Sequence, residues 1–537
     1  MASVCALLVP AAANLAWGFV SFAILLGLYY RKLKTSLPLP PGPPSSLFRG
    51  PTFPSPYPWV SYAKWAEVYG TSSIASYLEG WICWTLTLGD LIYYKTLGNP
   101  VLVLNSREAM TDLLDKRASI YSSRPYRTMV IDMIGLNYLF TSMLYGERWK
   151  RHRNLFFKYF KRADRNVYNA VQTKYVHTML RELLENPTEF RASVRRTASA
   201  VVLGLVYGHE VAEEGDLYVD LAEKVARNVA QAGLYGTYMV DYIPWLKHIP
   251  SWFPLASFKR KAKEWRKPVI EMLERPFAVT KSKMLEGKAT ACLVREELDD
   301  LWSGTSTFTE DIIKNTAATA FAAGSDTVVS GALSYFLALA NFPEVQKLAQ
   351  EELDRVLGGR LPTLQDRPDL PLIESICYEV LRWNPVTPLS LSHYASETDE
   401  YRGYHIPKGT VILPNVWAVL HDPDLYPDPF TFKADRFVDR EANARLGINA
   451  LPDNVFGFGR RFCPGQHVAF DFIFLVVSSL SSVFDVTKAV DKNGRVVEPV
   501  IDYAPLVLSH PKPFQCSIRP RSQQAVVQIQ QTALHDG

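Results

Sequence analysis

The sequence lacks the patterns that mark several common classes of protein. Its six cysteines contain no CxxC pair, which fits neither a zinc site nor a dense disulfide framework and favours a reducing compartment. The net charge of +4 is small for 537 residues, so the total charge gives no reason to expect a nucleic-acid partner. No fixed-period repeat or long low-complexity stretch is present. With 48% hydrophobic and 21% charged residues, the composition predicts a folded globular protein.

Charged side chains are missing altogether from residues 1–30. That segment is rich in Leu, Val, Ala and Phe, and Arg31, Lys32 and Lys34 follow it. About 20 apolar residues span a bilayer, and basic residues beside a span stay on its cytoplasmic side. A cleaved signal peptide is the alternative, but such a peptide begins with basic residues, which this segment does not have. We therefore expect a single transmembrane anchor, with the rest of the chain in the cytosol.

Residues 31–50 combine basic residues with the sequence Leu-Pro-Pro-Gly-Pro-Pro at 39–44. Proline fixes φ and has no N–H donor, so neither a helix nor a strand is expected there. We interpret this segment as a stiff hinge that orients one catalytic domain, residues 51–537, on the membrane surface.

Helical patterns dominate the rest of the chain. Thr309 is a candidate N-cap for a helix that continues to about Asn341, and further helices are predicted at 343–356 and 372–383. The predicted fold class is therefore mainly α with a minor β-sheet. The extended patterns lie at residues 90–94, 101–104 and 410–413.

Residues 456–465 read Phe-Gly-Phe-Gly-Arg-Arg-Phe-Cys-Pro-Gly and precede an apolar run. Gly457 and Gly459 allow tight turns, and Pro464 suits the first turn of a helix. A helix N-terminus at Cys463 would favour a negative sulfur, and backbone N–H groups would tune the electron density that this sulfur gives to a metal. A lone cysteine is, however, more often a buried and unreactive residue. The loop by itself leaves both interpretations open.

At every spacing this loop resembles the haem-binding loop of the cytochrome P450 superfamily, through Phe456, Gly459, Arg461, Cys463 and Gly465. The chain resembles microsomal members in particular, such as those of basidiomycete fungi. This resemblance implies the cytochrome P450 fold behind one N-terminal transmembrane helix, in the endoplasmic reticulum membrane, with the catalytic domain facing the cytosol. The other family motifs, in the family's order, are Trp149 with Arg153 (WxxxR), Ala323-Gly324-Ser325-Asp326-Thr327 (oxygen-binding segment) and Glu379 with Arg382 (ExxR).

The resemblance implies a cofactor and the residues that hold it. Cys463 would be the axial thiolate ligand of the iron in haem b, pushing electron density towards bound oxygen. Arg461 would pair with a carboxylate of the haem. The implied haem-binding residues are Trp149, Arg153, Ala323, Gly324, His393, Phe456, Gly459, Arg461 and Gly465.

Glu379 and Arg382 are three residues apart, so they share one helix face and are able to form an ion pair. From spacing alone, an exposed and nearly neutral pair is the alternative. In the family, this pair binds a downstream arginine, and the three residues stabilise the fold around the haem. The resemblance implies that Arg436 is this third residue. The preceding residues, Ala434 and Asp435, depart from the family's usual Pro-Glu.

Asp326 and Thr327 offer an acid and a hydroxyl that would relay protons to oxygen at the iron. The alternative is that Thr327 bonds its own helix carbonyl and that Asp326 faces water. With Cys463 present, the relay is favoured. The predicted apolar substrate pocket draws on residues 129–140, Phe321, 386–391 and 506–508.

The implied function is a monooxygenase that inserts one oxygen atom from O2 into a lipophilic substrate, such as a terpenoid, an aromatic metabolite or a xenobiotic. A reductase-independent haem-thiolate isomerase or dehydratase is the first alternative, and Thr327 argues against it. A non-catalytic haem-binding protein is the second.

Electrons must come from another protein, because the chain after Cys463 is too short for a flavin domain and no nucleotide-binding glycine motif stands out. NADPH-cytochrome P450 reductase is the expected partner, with cytochrome b5 as a further candidate. A basic stretch would dock the acidic reductase, and a solvated charged face is the alternative reading of it. Its members are Arg148, Lys150, Arg151, Arg153, Lys158, Lys161 and Arg162.

Residues 71–88 interrupt a stretch that, in resembling proteins, runs from the equivalent of Gly70 directly into that of Gly89. The segment contains a single charged residue, Glu79. It is either an inserted element that contacts the membrane or an unspliced intron. Absence of this segment from the mature transcript would eliminate the membrane hypothesis.

Overall fold

The computed structural model describes residues 37–45, 51, 53, 55–69, 89–160, 166–233, 236–254, 256–448 and 452–535. The predicted anchor at residues 1–30 and the predicted insertion at 71–88 lie outside the described residues, as does part of the predicted hinge. The described chain is mainly helical with small sheets, in agreement with the predicted fold class. The high helix content agrees with the long helical patterns in the sequence, and the small sheets agree with its few extended patterns.

The α-helices are numbered here in chain order. The first nine are α1 Pro58–Tyr69, α2 Arg107–Met110, α3 Ala118–Tyr121, α4 Glu147–Phe160, α5 Asn166–Glu185, α6 Phe190–Tyr207, α7 Leu217–Ala232, α8 Met239–Tyr242 and α9 Ser257–Leu285. The others are α10 Leu293–Trp302, α11 Glu310–Asn341, α12 Pro343–Leu357, α13 Pro371–Trp383, α14 Val416–Leu420, α15 Arg440–Arg445, α16 Gln466–Val483 and α17 Gln523–Gln531. Two π-helices cover Thr111–Lys116 and Met129–Ile134, and short 3₁₀ turns cover Pro187–Glu189, Pro244–His248, Leu364–Asp369, Asp453–Phe456, Gly459–Arg461 and Thr532–His535.

Helix α11 has the bounds that the sequence predicts. Thr309 occupies the N-cap position with an extended backbone, but its hydroxyl makes no capping hydrogen bond, so that part of the prediction was wrong. The acidic residues Glu310 and Asp311 lie in the first turn, where negative charge is favourable. The helix ends at Asn341, and Pro343 begins α12.

The strands are β1 Leu91–Thr96, β2 Asn99–Leu104, β3 His393–Tyr394, β4 Asp399–Tyr401, β5 Tyr404–Ile406, β6 Val411–Pro414, β7 Phe484–Val490, β8 Val496–Val497 and β9 Cys516–Pro520. The first sheet has the order β1-β2-β6-β3, with β2 parallel to β6 and the other pairs antiparallel. Its parallel pair joins the first third of the described chain to the segment after α13. β4 pairs with β5, and β7 lies between β8 and β9.

The proline-rich segment lies against the first sheet. Tyr93 of β1 donates its backbone N–H to the carbonyl of Pro41 at 2.7 Å, and His405 of β5 donates to Pro38 at 2.8 Å. Gly42 is required there, because a Cβ at this position would overlap the backbone of Tyr93. The described part of this segment, residues 37–45, is therefore packed against β1 and β5.

The core is built around α11, which packs against α6, α4 and α16. Among the described residues, α16 is long and apolar enough to cross a membrane, but 72% of that stretch is buried inside the protein, as expected of a core helix. Taken together, α11 and α12 are also long and apolar enough to cross a membrane, but a bend of 107° separates them. α11 and α16 therefore form the walls between which the candidate site lies.

Candidate active site

Two glycines with positive φ shape the loop that precedes α16. Gly457 has φ of 86° and Gly459 has φ of 45°. Gly459 also donates its N–H to the carboxylate of Asp115 at 2.6 Å, and a Cβ there would overlap the carbonyl oxygen of Leu114. The loop closes when the N–H of Cys463 donates to the carbonyl of Phe456 at 2.7 Å. Tight turns are thus required at the glycines, as the sequence predicts.

Cys463 presents its sulfur to a cavity just before α16. The helix begins at Gln466 with Gly465 as its N-cap, so Pro464 precedes the first turn and that detail of the prediction was wrong. Burial raises the pKa of the Cys463 thiol above its ordinary value, while the N–H of Gly465 and the charge of Arg153 act in the opposite direction. The polypeptide alone therefore favours the thiol and not the predicted negative sulfur, and coordination to a metal would be needed to remove its proton.

On the opposite wall, α11 presents small side chains to the same cavity. Ala323 is exposed within an otherwise buried region of the helix, because it faces the cavity and not another helix. The Thr327 hydroxyl donates to the carbonyl of Ala323 at 2.9 Å, which is the local bond named as the alternative from sequence. Gly324 borders the cavity and also faces α6, where a Cβ would lie 2.6 Å from Cγ2 of Val202.

Asp326 does not face water. Its side chain is buried, and its two carboxylate oxygens bind Arg195 of α6 at 3.2 Å and Nε2 of His510 at 3.1 Å. Burial raises the pKa of Asp326, but His510 and Arg195 outweigh that effect, so the pKa lies below its ordinary value. Neither partner was predicted from the sequence. The alternative of a solvated Asp326 was therefore wrong.

Arg461, Trp149 and Arg153 lie together at one edge of the cavity. The Arg461 guanidinium donates to three backbone carbonyls and lies 4.4 Å from the centre of the Trp149 ring. Arg153 lies 5.4 Å from the same ring and donates to the carbonyl of Phe462 at 2.6 Å. Burial, followed by the charges of Arg124 and Arg153, lowers the pKa of Arg461 to about 8. Without a bound anion, burial and mutual repulsion therefore disfavour the charged form of Arg461 at this edge.

Arg124 is a further member of this edge that the sequence analysis missed. It is buried and donates to the carbonyls of Leu391 at 2.6 Å and Thr141 at 3.1 Å. Burial, followed by the charge of Arg153, lowers its pKa to about 9. A lone arginine in a loop carries no sequence signal, because its role depends on chain segments that only folding brings together.

His393 lies in β3 beside the same edge and is almost fully buried. Its Nδ1 bonds the carbonyl of Tyr121 at 2.8 Å. Burial, followed by the charge of Arg124, holds the pKa of His393 well below its ordinary value. With Nδ1 donating to a carbonyl, the neutral ring keeps Nε2 as an acceptor.

The structure brings Glu379, Arg382 and Arg436 together. Arg382 binds both carboxylate oxygens of Glu379, at 2.6 and 2.8 Å, and Arg436 binds the same carboxylate at 3.0 Å. Glu379 and Arg382 are fully buried in α13, so the exposed-pair alternative was wrong. The backbone N–H of Lys433 also donates to Glu379, at 3.1 Å. The carboxylate thus joins α13 to the loop that carries Arg436.

Two adjoining cavities of about 140 and 220 Å³ separate α11 from the Cys463 loop, and Ala323, Thr327 and Cys463 border both. Three arginines stand at one edge, yet the described residues that line the two cavities include no Asp or Glu. Buried cations need anionic partners. A flat apolar group with a metal at its centre and carboxylates at one edge, such as haem, fits this set of residues.

The predicted substrate pocket is placed in part. Phe140 and, from residues 386–391, Val386, Thr387, Ser390 and Leu391 line the larger cavity, and Val507 lines a small neighbouring one. Phe321 was placed wrongly, because it is fully buried and packs against Tyr207. Leu506 is an exposed side chain, so it does not belong to the lining.

The basic surface is smaller than the sequence suggests. Lys158 is neutralised by Glu297 at 2.9 Å and Asp300 at 2.7 Å, so its inclusion among the docking residues was wrong. Lys161 and Arg162 lie outside the described residues. Arg151 is half-buried and donates to the carbonyl of Thr307 at 2.7 Å. Arg148, Lys150 and Arg460 form the exposed cationic surface, in which Lys150 also lies 3.7 Å from Glu147, and Lys150 and Arg460 contact the ring of Tyr145. Arg460 belongs to the Cys463 loop and was missed as a surface residue.

Comparisons with known proteins agree with this geometry. The family model for cytochrome P450 matches residues 51–518. A cytochrome P450 monooxygenase of Armillaria gallica is 39% identical over 95% of this chain and 98% of its own. Cytochrome P450 monooxygenase 208 of Postia placenta is 38% identical over 96% of each chain, and the tryptamine 4-monooxygenase of Psilocybe cyanescens is 33% identical over 95% and 99%.

A solved zebrafish cytochrome P450 with abiraterone has the same fold, with a TM-score of 0.66, 23% identity, and coverage of 81% of this chain and 97% of that one. The predicted resemblance is therefore confirmed. Members of the matched family hold iron protoporphyrin IX through a cysteine thiolate and act as monooxygenases. On the strength of the family match and its basidiomycete relatives, the chain belongs to the cytochrome P450 monooxygenases.

Proposed function

We propose that this monooxygenase inserts one oxygen atom from O2 into a neutral, lipophilic organic substrate, with electrons from an NADPH-dependent reductase. One observation carries the proposal: the Cys463 sulfur and the Ala323–Thr327 face of α11 border the same apolar cavities. The family's haem, when bound, supplies oxygen activation that no side chain of the chain provides. Cys463 would ligate its iron.

The arginine edge would bind the haem carboxylates. Arg124, Arg153 and Arg461 provide the charge, while the neutral His393 and the ring of Trp149 complete that edge of the cavity. Charge-assisted hydrogen bonds from guanidinium groups to carboxylates are strong and directional. Phe456, Gly459 and Gly465 would shape the loop beneath the haem, whereas Ala323 and Gly324 would leave room above it.

The neutral character of the substrate is inferred from the cavity lining. Phe140, Phe156 and Val201 give it aromatic and aliphatic surface. Terpenoids, aromatic metabolites and xenobiotics have this character. An ammonium substrate such as tryptamine, which the name of one relative specifies, would call for a carboxylate partner. The described cavity lining contains none.

Electron delivery is proposed to use the cationic surface formed by Arg148, Lys150 and Arg460. Arg460 is three residues from Cys463, so an acidic partner bound there would lie beside the loop that holds the thiolate. Complementary charge raises association rates and orients the partner. NADPH-cytochrome P450 reductase and cytochrome b5 are the partners proposed.

A location in the endoplasmic reticulum membrane is proposed from the apolar residues 1–30. The described domain adds exposed apolar side chains at Ile243, Trp245, Trp252 and Phe253, and aromatic rings of this kind favour a membrane interface. Deleting residues 1–30 should release the protein from microsomes into alkaline carbonate wash, while the full chain stays with the lipid. Full release of the intact chain would contradict the anchor.

Purified full-length enzyme, reduced under carbon monoxide, should give the absorption band of thiolate-ligated haem, and Cys463→Ala should lose that band. Product formation from a panel of neutral terpenoids and aromatics should require O2, NADPH and reductase together. Conversion without reductase would instead support the isomerase or dehydratase alternative. A normal spectrum with no NADPH consumption in the presence of reductase would support a non-catalytic haem protein.

A further inference from the structure

His510 comes from the segment between β8 and β9, far along the chain from α11, yet its ring meets the Asp326 carboxylate. Its Nε2 lies 3.1 Å from Oδ2 of Asp326. Its Nδ1 is buried and has no hydrogen-bond partner among the described residues. Because the bond to a carboxylate requires a proton on Nε2, the ring acts as a hydrogen-bond donor to Asp326.

The backbone around His510 is held rigidly. Ser509 donates its N–H to the carbonyl of Val386, which lines the larger cavity, at 2.8 Å. The Ser509 carbonyl in turn accepts bonds from the Ser330 hydroxyl of α11 and from Asn384. The His510 carbonyl accepts the N–H of Ala504 at 2.8 Å. These contacts fix the backbone of His510 relative to α11, and the bond to Asp326 orients its ring.

More positive than negative side chains surround the His510–Asp326 pair. Arg195 binds Oδ1 of Asp326 from α6, and Arg191, one turn earlier, donates to the carbonyl of Pro511. Lys512 is occupied by Asp502 at 2.6 Å and does not reach the pair. Asp326 is thus the one acidic group between the cations of α6 and the ring of His510, among the described contacts of these residues. The Asp326 carboxylate is therefore held from two sides, by the guanidinium of Arg195 on Oδ1 and by the ring N–H of His510 on Oδ2.

From this geometry we propose that His510 is a positioning residue for proton delivery: it fixes the Asp326 carboxylate through which protons reach Thr327. The proposal rests on the proposed role of Asp326 and Thr327 in oxygen activation. Asp326 takes one proton from solvent and passes it to the Thr327 hydroxyl, which releases its own proton into the cavity. One proton is moved and no electron is transferred. His510 keeps the carboxylate ionised and oriented between deliveries.

Two variants separate the proposal from a merely structural role. His510→Ala removes the bond to Asp326, whereas His510→Gln keeps an N–H donor that is able to reach the carboxylate. His405→Ala, which changes a histidine on β5 outside the site, is the matched control. Each holoenzyme is assayed with NADPH, O2 and purified reductase, without an added organic substrate.

In His510→Ala, NADPH oxidation should fall on the order of tenfold, with an increased solvent deuterium isotope effect and an unchanged KM for reductase. His510→Gln should recover much of the rate and bring the isotope effect back towards the wild-type value. His405→Ala should match the wild type. Wild-type rate and pH profile in His510→Ala would overturn the proposal.

A readout independent of turnover is the unfolding temperature. Because the folded-state pKa of Asp326 is lowered, its ionisation stabilises the protein above the unfolded pKa, and that contribution disappears as pH falls through the folded pKa. The decrease in unfolding temperature caused by His510→Ala should therefore be smaller in the Asp326→Asn variant than in the wild type. Additive losses would refute the coupling. A wild-type enzyme without the carbon monoxide band or NADPH consumption would instead refute the proposed function.

Discussion

At the scale of single residues, the charge at the cavity edge is the feature that most restricts the cofactor. Arg124 and Arg461 are buried and Arg153 is half-buried beside them. The pKa of each is lowered, first by burial and for Arg124 and Arg461 also by the other arginines. Backbone carbonyls satisfy many of their N–H groups but do not neutralise their charge. An anion bound at this edge removes that repulsion.

Arg124 offers a direct test of this account. Arg124→Leu removes one charge from the edge, so haem should dissociate faster, by about tenfold, since hydrogen bonds to charged groups contribute about 1.5–3 kcal/mol. Arg124→Lys keeps the charge but loses the planar donor geometry, so its effect should be intermediate. The measurement is the rate of haem transfer to excess apomyoglobin.

Arg227→Leu is the control for this test, because that arginine is exposed on α7 and pairs only with Glu223 in the described surface contacts. Its haem transfer rate should equal that of the wild type. Equal rates for Arg124→Leu and the wild type would show that Arg124 contributes nothing to cofactor retention.

Individual site residues were predictable where a motif fixes them. The spacing of Glu379 and Arg382 on one helix predicts that they pair. The sequence of the surrounding loop identifies Cys463. Arg124, Arg195 and His510 carry no such signal, because each acts on a segment distant in sequence. The mistaken pocket assignment of Phe321 has a related cause: periodicity predicts a buried face of α11 but does not say whether a cavity or another helix covers it.

At the scale of elements, the crossing of α6 and α11 depends on Gly324. The two helices pack closely there, and the position has no room for a side chain against Val202. The sequence analysis assigned this glycine to the cofactor face alone. The structure adds a packing requirement, since a helix surface must interlock with the ridges of its neighbour.

Gly324→Ala should destabilise the protein by about 1–3 kcal/mol through overpacking, less a small gain in helix propensity. Val202→Ala should cost about 1 kcal/mol or more by leaving space. In the double variant the new methyl group fills that space, so the loss should be smaller than the sum of the two. Urea unfolding of the holoenzymes measures this, and strictly additive losses would contradict the contact.

At the scale of the whole molecule, the helices and strands were largely predictable, and their assembly was not. The bounds of α11, α12 and α13 agree with local signals such as Pro343 and the residues before Pro385. The pairing of β2 with β6 joins segments about three hundred residues apart, a relation that no local pattern encodes. The family resemblance supplied that information instead.

The surface formed by Arg148, Lys150 and Arg460 also belongs to this scale, because it combines α4 with the Cys463 loop. Arg460→Glu should raise the KM for reductase several-fold at low salt while leaving the carbon monoxide spectrum unchanged, and the difference should shrink as ionic strength rises. Stopped-flow reduction rates at graded salt concentrations measure this.

Lys288→Glu makes the same charge change on an exposed segment between α9 and α10 and serves as the control. Its reduction rate should follow that of the wild type at every salt concentration. If both variants are slowed alike, net charge and not a docking surface governs the association.

The attachment of residues 37–45 to the first sheet has a consequence for how the enzyme meets its partners. If residues 1–30 are the anchor, only residues 31–36 separate it from the packed segment, a reach of at most about 20 Å. A tether that short confines the domain to a thin layer above the bilayer. A reductase held in the same layer would meet it in a two-dimensional search at raised effective concentration, so the frequency of encounter would depend on membrane area and not on cytosolic volume.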